Sequence, residues 1–158
     1  MRRSVIREIP FSLPSPFLEK ANWVDSFQKA TSLDLNSAQD AVDVMFAGEP
    51  PFWVRALNTA RNLIVAPIGL RTGVISVDSE KVGAFPITHQ SDQSVVFGFD
   101  DWHLNFRVLV EVASHERGSV VRLSTLVARR HWFGYAYLFT ITPFHKLIVR
   151  SLLSKLPG

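Results

Sequence analysis

Apolar and polar residues alternate with a period of two from Phe85 onward, over residues 85–89, 94–100, 102–113 and 119–130. That period belongs to half-buried strands, and the short gaps between the runs predict an antiparallel meander. A two-residue turn at Asp100-Asp101 would pair Phe99 with Trp102, Phe97 with Leu104 and Val95 with Phe106. A turn around Glu116-Arg117 pairs Val112 with Val121, Val110 with Leu123 and Phe106 with Val127. Both turns put the same residues on one apolar face, and a one-residue slip would reverse every side chain. The opposite face then carries His103, Asn105, Arg107, Glu111, Arg122 and Ser124, with Glu111 across from Arg122 as a favourable pair.

Upstream of Phe85 the period is helical or absent. Pro10, Pro14 and Pro16 punctuate residues 1–22, which read as an extended surface arm ahead of a single domain at 23–158. Residues 23–31 read as a first strand with weak alternation. Asn36 is the expected cap of a short helix, with Gln39 as its capping-box partner. Ala38, Ala41, Val42, Met45 and Phe46 repeat on one side of that helix. Gly48-Glu49-Pro50-Pro51 stops it, and Pro51 suits the first turn of a second short helix with Phe52, Ala56, Ala60, Leu63 and Ile64 inward. At the end of the chain a long helix is expected from about Pro143 to Leu156, kinked at Pro143. Tyr137, Phe144 and Ile148 are expected to turn toward the apolar face of the meander, the surface that most needs a cover.

Composition narrows the function classes. A chain of 158 residues, 47% apolar and 20% charged, is long enough to bury a real core. The net charge is only +3 and the cations are scattered, so the basic stripe of a nucleic-acid binder is missing. No cysteine is present, which removes disulfides, thiolate nucleophiles and cysteine-bound zinc. His89, His103, His115, His131 and His145 lack the close spacing of zinc motifs, so no metal and no cofactor is expected. The longest uncharged apolar tract, Trp132 to Phe144, is too short for a helix of about 20 residues across a bilayer. A soluble cytoplasmic protein is the expectation.

Several segments carry a resemblance. They are Pro51-Phe52-Trp53 leading to Arg61-Asn62, then Gly69-Leu70-Arg71-Thr72, the run Gly98 to Arg107, and Pro143 to Val149. On these the chain resembles domain-of-unknown-function family 2867, a mainly bacterial family without an established activity. It departs from that family's pattern at Trp102, where an arginine is usual, and at Asn105, where an aspartate is usual. The order of elements is similar to the START and Bet v 1-like (SRPBCC) superfamily. That resemblance implies an α+β helix-grip fold: a curved antiparallel sheet, two short helices and a long C-terminal helix. It also implies a cavity between sheet and helix for an apolar or amphipathic ligand, and cyclisation or hydration chemistry in some members.

The expected lining is Trp53, Phe97, Phe99, Trp102, Phe106, Tyr137, Phe144 and Ile148. Asp101, His103 and Arg107 are the weaker candidates for acid–base work. Asp is a common turn residue, and His103 and Arg107 fall on the face away from the cavity, which favours a structural role. Three function classes follow: a binding protein for a small apolar or amphipathic molecule, an enzyme of the polyketide cyclase-like type, or a module that docks a protein or membrane surface. A homodimer is compatible with all three.

Overall fold

The structure, a computed structural model, describes residues 4–48, 55, 77–78, 81–82, 85–101 and 103–158. The expected second short helix, with Trp53, lies outside the described residues, as does Trp102. Eight strands form one antiparallel sheet in the order β1-β2-β8-β7-β6-β5-β4-β3. They are β1 (Arg7–Glu8), β2 (Trp23–Thr31), β3 (Val77–Asp78), β4 (Lys81–Val82), β5 (Phe85–Gln90), β6 (Ser94–Asp100), β7 (Leu104–His115) and β8 (Gly118–Arg129). Among the described residues two helices accompany the sheet, α1 (Ala38–Met45) and α2 (Trp132–Ser154). The α+β class and the antiparallel meander are as expected.

The β7–β8 hairpin has the predicted register, with Val112 opposite Val121, Val110 opposite Leu123, Phe106 opposite Val127 and Glu111 opposite Arg122. Arg122 and Glu111 approach to 3.8 Å at the surface. The β6–β7 hairpin is different. Phe99 pairs with Phe106, Phe97 with Val108 and Val95 with Val110, not with Trp102, Leu104 and Phe106. The loop is longer than two residues: Asp100 pairs with Asn105, and the Asp101 N–H donates to the Leu104 carbonyl. The error in register is four residues, an even number, so every side chain still faces the predicted way. Gly98 lies in this hairpin at φ +154°, and a Cβ there would collide with the Phe106 carbonyl oxygen.

The apolar face holds the main core. Phe27, Val95, Phe97, Val110, Val121 and Leu123 are buried against α1 and the C-terminal half of α2. Helix α1 is capped one residue later than expected. The Ser37 hydroxyl accepts from the Asp40 N–H, and the Asp40 carboxylate accepts from the Ser37 N–H, closing a capping box. Ala38, Ala41, Val42 and Met45 are buried as the periodicity predicted.

The second face is not the wet polar surface expected. Val96, Leu109 and Leu126 form a smaller core there, covered by Phe11, Leu13, Phe17, Leu18 and Ala21 from the segment before β2. That segment adds β1 to the sheet edge and donates the Ile9 N–H to the Ser26 carbonyl. Ser124, expected to be exposed, is fully buried and shares a 2.7 Å hydrogen bond with Ser26. Polar residues were given the whole face because the apolar residues between them were too few to signal a second layer.

Helix α2 starts eleven residues before Pro143 and runs through it. Pro143 lacks the N–H that would bond the Phe139 carbonyl, but both residues face solvent, where water satisfies the freed acceptor. Gly134 lets the first turns press onto the β6–β7 loop, since a Cβ there would strike the His103 carbonyl.

Candidate functional site

The apolar face of the sheet can be read as rows that cross the strands. One row is aromatic: Trp23, Val127, Phe106 and Phe99. Another is mainly aliphatic: Phe27, Leu123, Val110 and Val95. Between them lies Asp25, Thr125, Val108 and Phe97, and this row carries two polar groups at the end beneath α2. Asp25 and Thr125 are each 6% exposed. Helix α2 brings His145 over them, with its Nε2 3.3 Å from Asp25 Oδ1 and 3.2 Å from Oδ2. The Trp23 ring meets the His145 ring edge-on at 6.0 Å.

A carboxylate in an apolar layer is costly unless it is paired and hydrogen-bonded. Here the pairing is incomplete. Among the described residues, Thr125 Oγ1 has no hydrogen-bond partner and Asp25 Oδ2 has only its 3.2 Å contact with His145 Nε2, although both are fully shielded from solvent. Buried groups of this kind are uncommon in native proteins and often have a functional reason. Further along β2, Lys29 is also buried and donates to the Leu156 carbonyl. Burial holds its ammonium below its ordinary pKa of 10.5.

Of the expected aromatic wall, Trp53 and Trp102 lie outside the described residues and the other rings lie as follows. Phe99 and Phe106 meet at 4.9 Å, and Phe85 touches both, at 5.3 and 5.0 Å. Phe97 stacks on Phe85 at 6.5 Å and meets Phe46 of α1's C-terminal end at 5.9 Å. Tyr137 joins Phe106, Leu104, Val127 and Trp23 in a cluster under the first half of α2. Ile148 is half-buried. Phe144 is the correction: it is 46% exposed. Leu138, Val149 and Leu153 set the inward side of α2, and Phe144 falls about a third of a turn away from it.

The acid–base candidates disperse. Arg107 binds Asp100 Oδ1 at 2.9 Å and the Phe106 carbonyl at 2.8 Å, bracing the hairpin. Asp101 belongs to the turn. His103 was placed on the outward face, but it is only 3% exposed and sits edge-on to Phe133 and Tyr137. The loop that lengthened the β6–β7 turn takes His103 out of the strand, so strand parity does not govern it. Asp25 and Thr125 were not singled out from sequence. The signal was present in the weak alternation of β2, where Asp25 and Lys29 occupy the same parity as Trp23 and Phe27. A charged residue at a core position of a strand is a stronger indication than a charged residue in a turn.

Residues 17–152 match the family model described as "Protein of unknown function (DUF2867)". The chain belongs to the DUF2867 family. No curated protein and no solved structure matches it significantly. The DUF2867 match takes in Asp25, Thr125 and His145, and Phe17, Leu18 and Ala21 of the segment that covers the second core. Among the described residues, no three His, Asp or Glu side chains converge as metal ligands. No helix among them is long and apolar enough to cross a membrane.

Proposed function

We propose that this DUF2867 chain is a helix-grip domain that binds a small amphipathic molecule on the apolar sheet face beneath α2. The ligand's apolar body lies on the aromatic row of Phe99, Phe106 and Tyr137. A hydroxyl or carbonyl on it meets Thr125 and the Asp25–His145 pair. The observation that carries this reading is the buried polar pair Asp25 and Thr125 between two apolar rows, with the Thr125 hydroxyl lacking a hydrogen bond among the described residues and Asp25 met only by His145. A sheet face under a long helix, mostly apolar with few convergent polar groups, has the make-up of a small-molecule site.

The contact between the His145 imidazole and the Asp25 carboxylate favours a second reading, an enzyme of the polyketide cyclase-like type. A carboxylate on one imidazole nitrogen fixes the tautomer and leaves the other nitrogen to exchange a proton with substrate.

Thr125→Val tests the binding reading. Replacing an unpaired buried hydroxyl by a methyl of similar shape is neutral or stabilising for the fold. The variant should melt at or above the wild-type temperature. It should also lose about tenfold in affinity for a hydroxylated aromatic ligand, the worth of one hydrogen bond. Unchanged affinity, or a large loss of stability, would make Thr125 a structural residue and remove the polar anchor.

A further inference from the structure

The outward side of α2 is apolar. Trp132 is 72% exposed, Tyr135 47%, Phe139 85% and Leu147 55%. The spacing of these residues puts them along one side of the helix for about 22 Å, at 1.5 Å per residue. A stripe with three aromatic rings is unusual for a free surface and marks a contact site.

The charged residues of α2 and of the chain leading into it have one sign. No Asp or Glu follows Glu116 in the sequence, while Arg117, Arg122, Arg129, Arg130, Lys146, Arg150 and Lys155 do. Arg129 and Arg130 stand at the N-terminal end of α2, where with Lys20 and Asn105 they line a surface cleft of about 240 Å³. The Arg129 guanidinium lies 4.3 Å over the Tyr135 ring, beside the stripe. Lys146 and Arg150 border its other end. The Glu8 carboxylate approaches from the N-terminal segment and pairs with Lys146 at 3.1 Å. The first turn of α2 carries no acidic residue to offset the positive end of its dipole.

We propose that the outer side of α2 docks on an anionic phospholipid bilayer, with Trp132, Tyr135, Phe139 and Leu147 in the interface and Arg130, Lys20 and Lys146 at the headgroups. Trp and Tyr favour the depth of the headgroups, and cations beside an apolar helix face add attraction to anionic lipid. A second copy of the chain fits less well, because pairing two stripes in either direction sets cations against cations, and the Glu8 carboxylate of each copy is already paired with its own Lys146. The helix would lie on the membrane rather than cross it, in keeping with its polarity. This site is separate from the ligand site on the inner side of α2, and neither depends on the other.

The test is flotation of the full chain with phosphatidylcholine vesicles, with and without phosphatidylglycerol. The chain should float with the phosphatidylglycerol vesicles and much less with phosphatidylcholine alone, and salt at about 0.5 M should weaken binding by screening. Phe139→Asp should reduce the bound fraction about tenfold while its melting temperature stays within about 2 °C of wild type, since so exposed a ring supports little of the fold. Arg130→Glu should weaken binding to phosphatidylglycerol vesicles only. Failure to float, or flotation unaffected by Phe139→Asp, overturns the proposal. So does sedimentation showing a dimer that Phe139→Asp dissolves, which would assign the stripe to a second copy.

Discussion

Removing the imidazole of His145 should expose how strongly the fold depends on the buried carboxylate beneath α2. The Asp25 side chain is 3% exposed and that of His145 20%. Breaking a fully buried ion pair from one side costs about 3–5 kcal/mol, because a charge is left unpaired. Water reaches the His145 side, so the expected cost of His145→Leu is lower, about 2–3 kcal/mol. In a chain of this length that corresponds to a fall of roughly 4–12 °C in Tm. Asp25→Val should cost less, since the histidine it leaves is in contact with water. The double variant replaces the pair by apolar groups of similar volume and should lie near the wild type, because well-packed apolar substitutes often match a buried pair. Urea unfolding of the four proteins, at constant m, gives the coupling directly. The expected non-additivity is at least about 2–3 kcal/mol in favour of the pair. Single-variant effects that add within about 0.5 kcal/mol, or a His145→Leu protein more stable than wild type, would refute the argument that the contact offsets the burial of Asp25.

Three further outcomes follow from the packing. Leu126→Ala should cost about 2–5 kcal/mol by urea unfolding, as befits a fully buried leucine under the segment before β2, whereas a loss under about 1 kcal/mol would mean the second face is open. Gly134→Ala should lower the Tm despite a gain of about 1 kcal/mol in helix propensity, because the new Cβ strikes the His103 carbonyl; a raised Tm would contradict the close approach. Lys29 has a folded pKa below its unfolded 10.5, so the unfolded chain binds more protons between those values and stability should rise with pH across that window. Lys29→Met should flatten that part of the stability–pH curve, and an unchanged slope would assign it to other groups.

The legible parts of the fold were those where two local signals agreed. The β7–β8 register followed from clean alternation on both sides of one short turn. The β6–β7 turn was misplaced because Asp100-Asp101 looks like a tight turn by itself, and nothing local says that His103 leaves the strand to pack under α2. The facing of the side chains survived because the error was even. The second core was illegible because Val96, Leu109 and Leu126 are isolated apolar residues on an otherwise polar parity, and their cover comes from a segment far upstream in the sequence. The aromatic half of the candidate site was visible as a set of Phe residues sharing one parity. Its polar half was hidden in β2, where Asp25 and Lys29 blurred the alternation that would have marked the strand. Their place in the core depends on a helix more than a hundred residues downstream.

The central claim is that a small amphipathic molecule binds beneath α2 at Asp25, Thr125 and His145. Its most direct measurement is an NMR titration of the isotope-labelled protein with hydroxylated aromatic and fatty ligands. The account predicts saturable shifts concentrated on Thr125, Phe106, Phe99 and the His145 ring, absent or much weaker in Thr125→Val. Shifts confined to the outer residues Trp132, Tyr135 and Phe139, or no shift up to the solubility limit of every ligand, would contradict it.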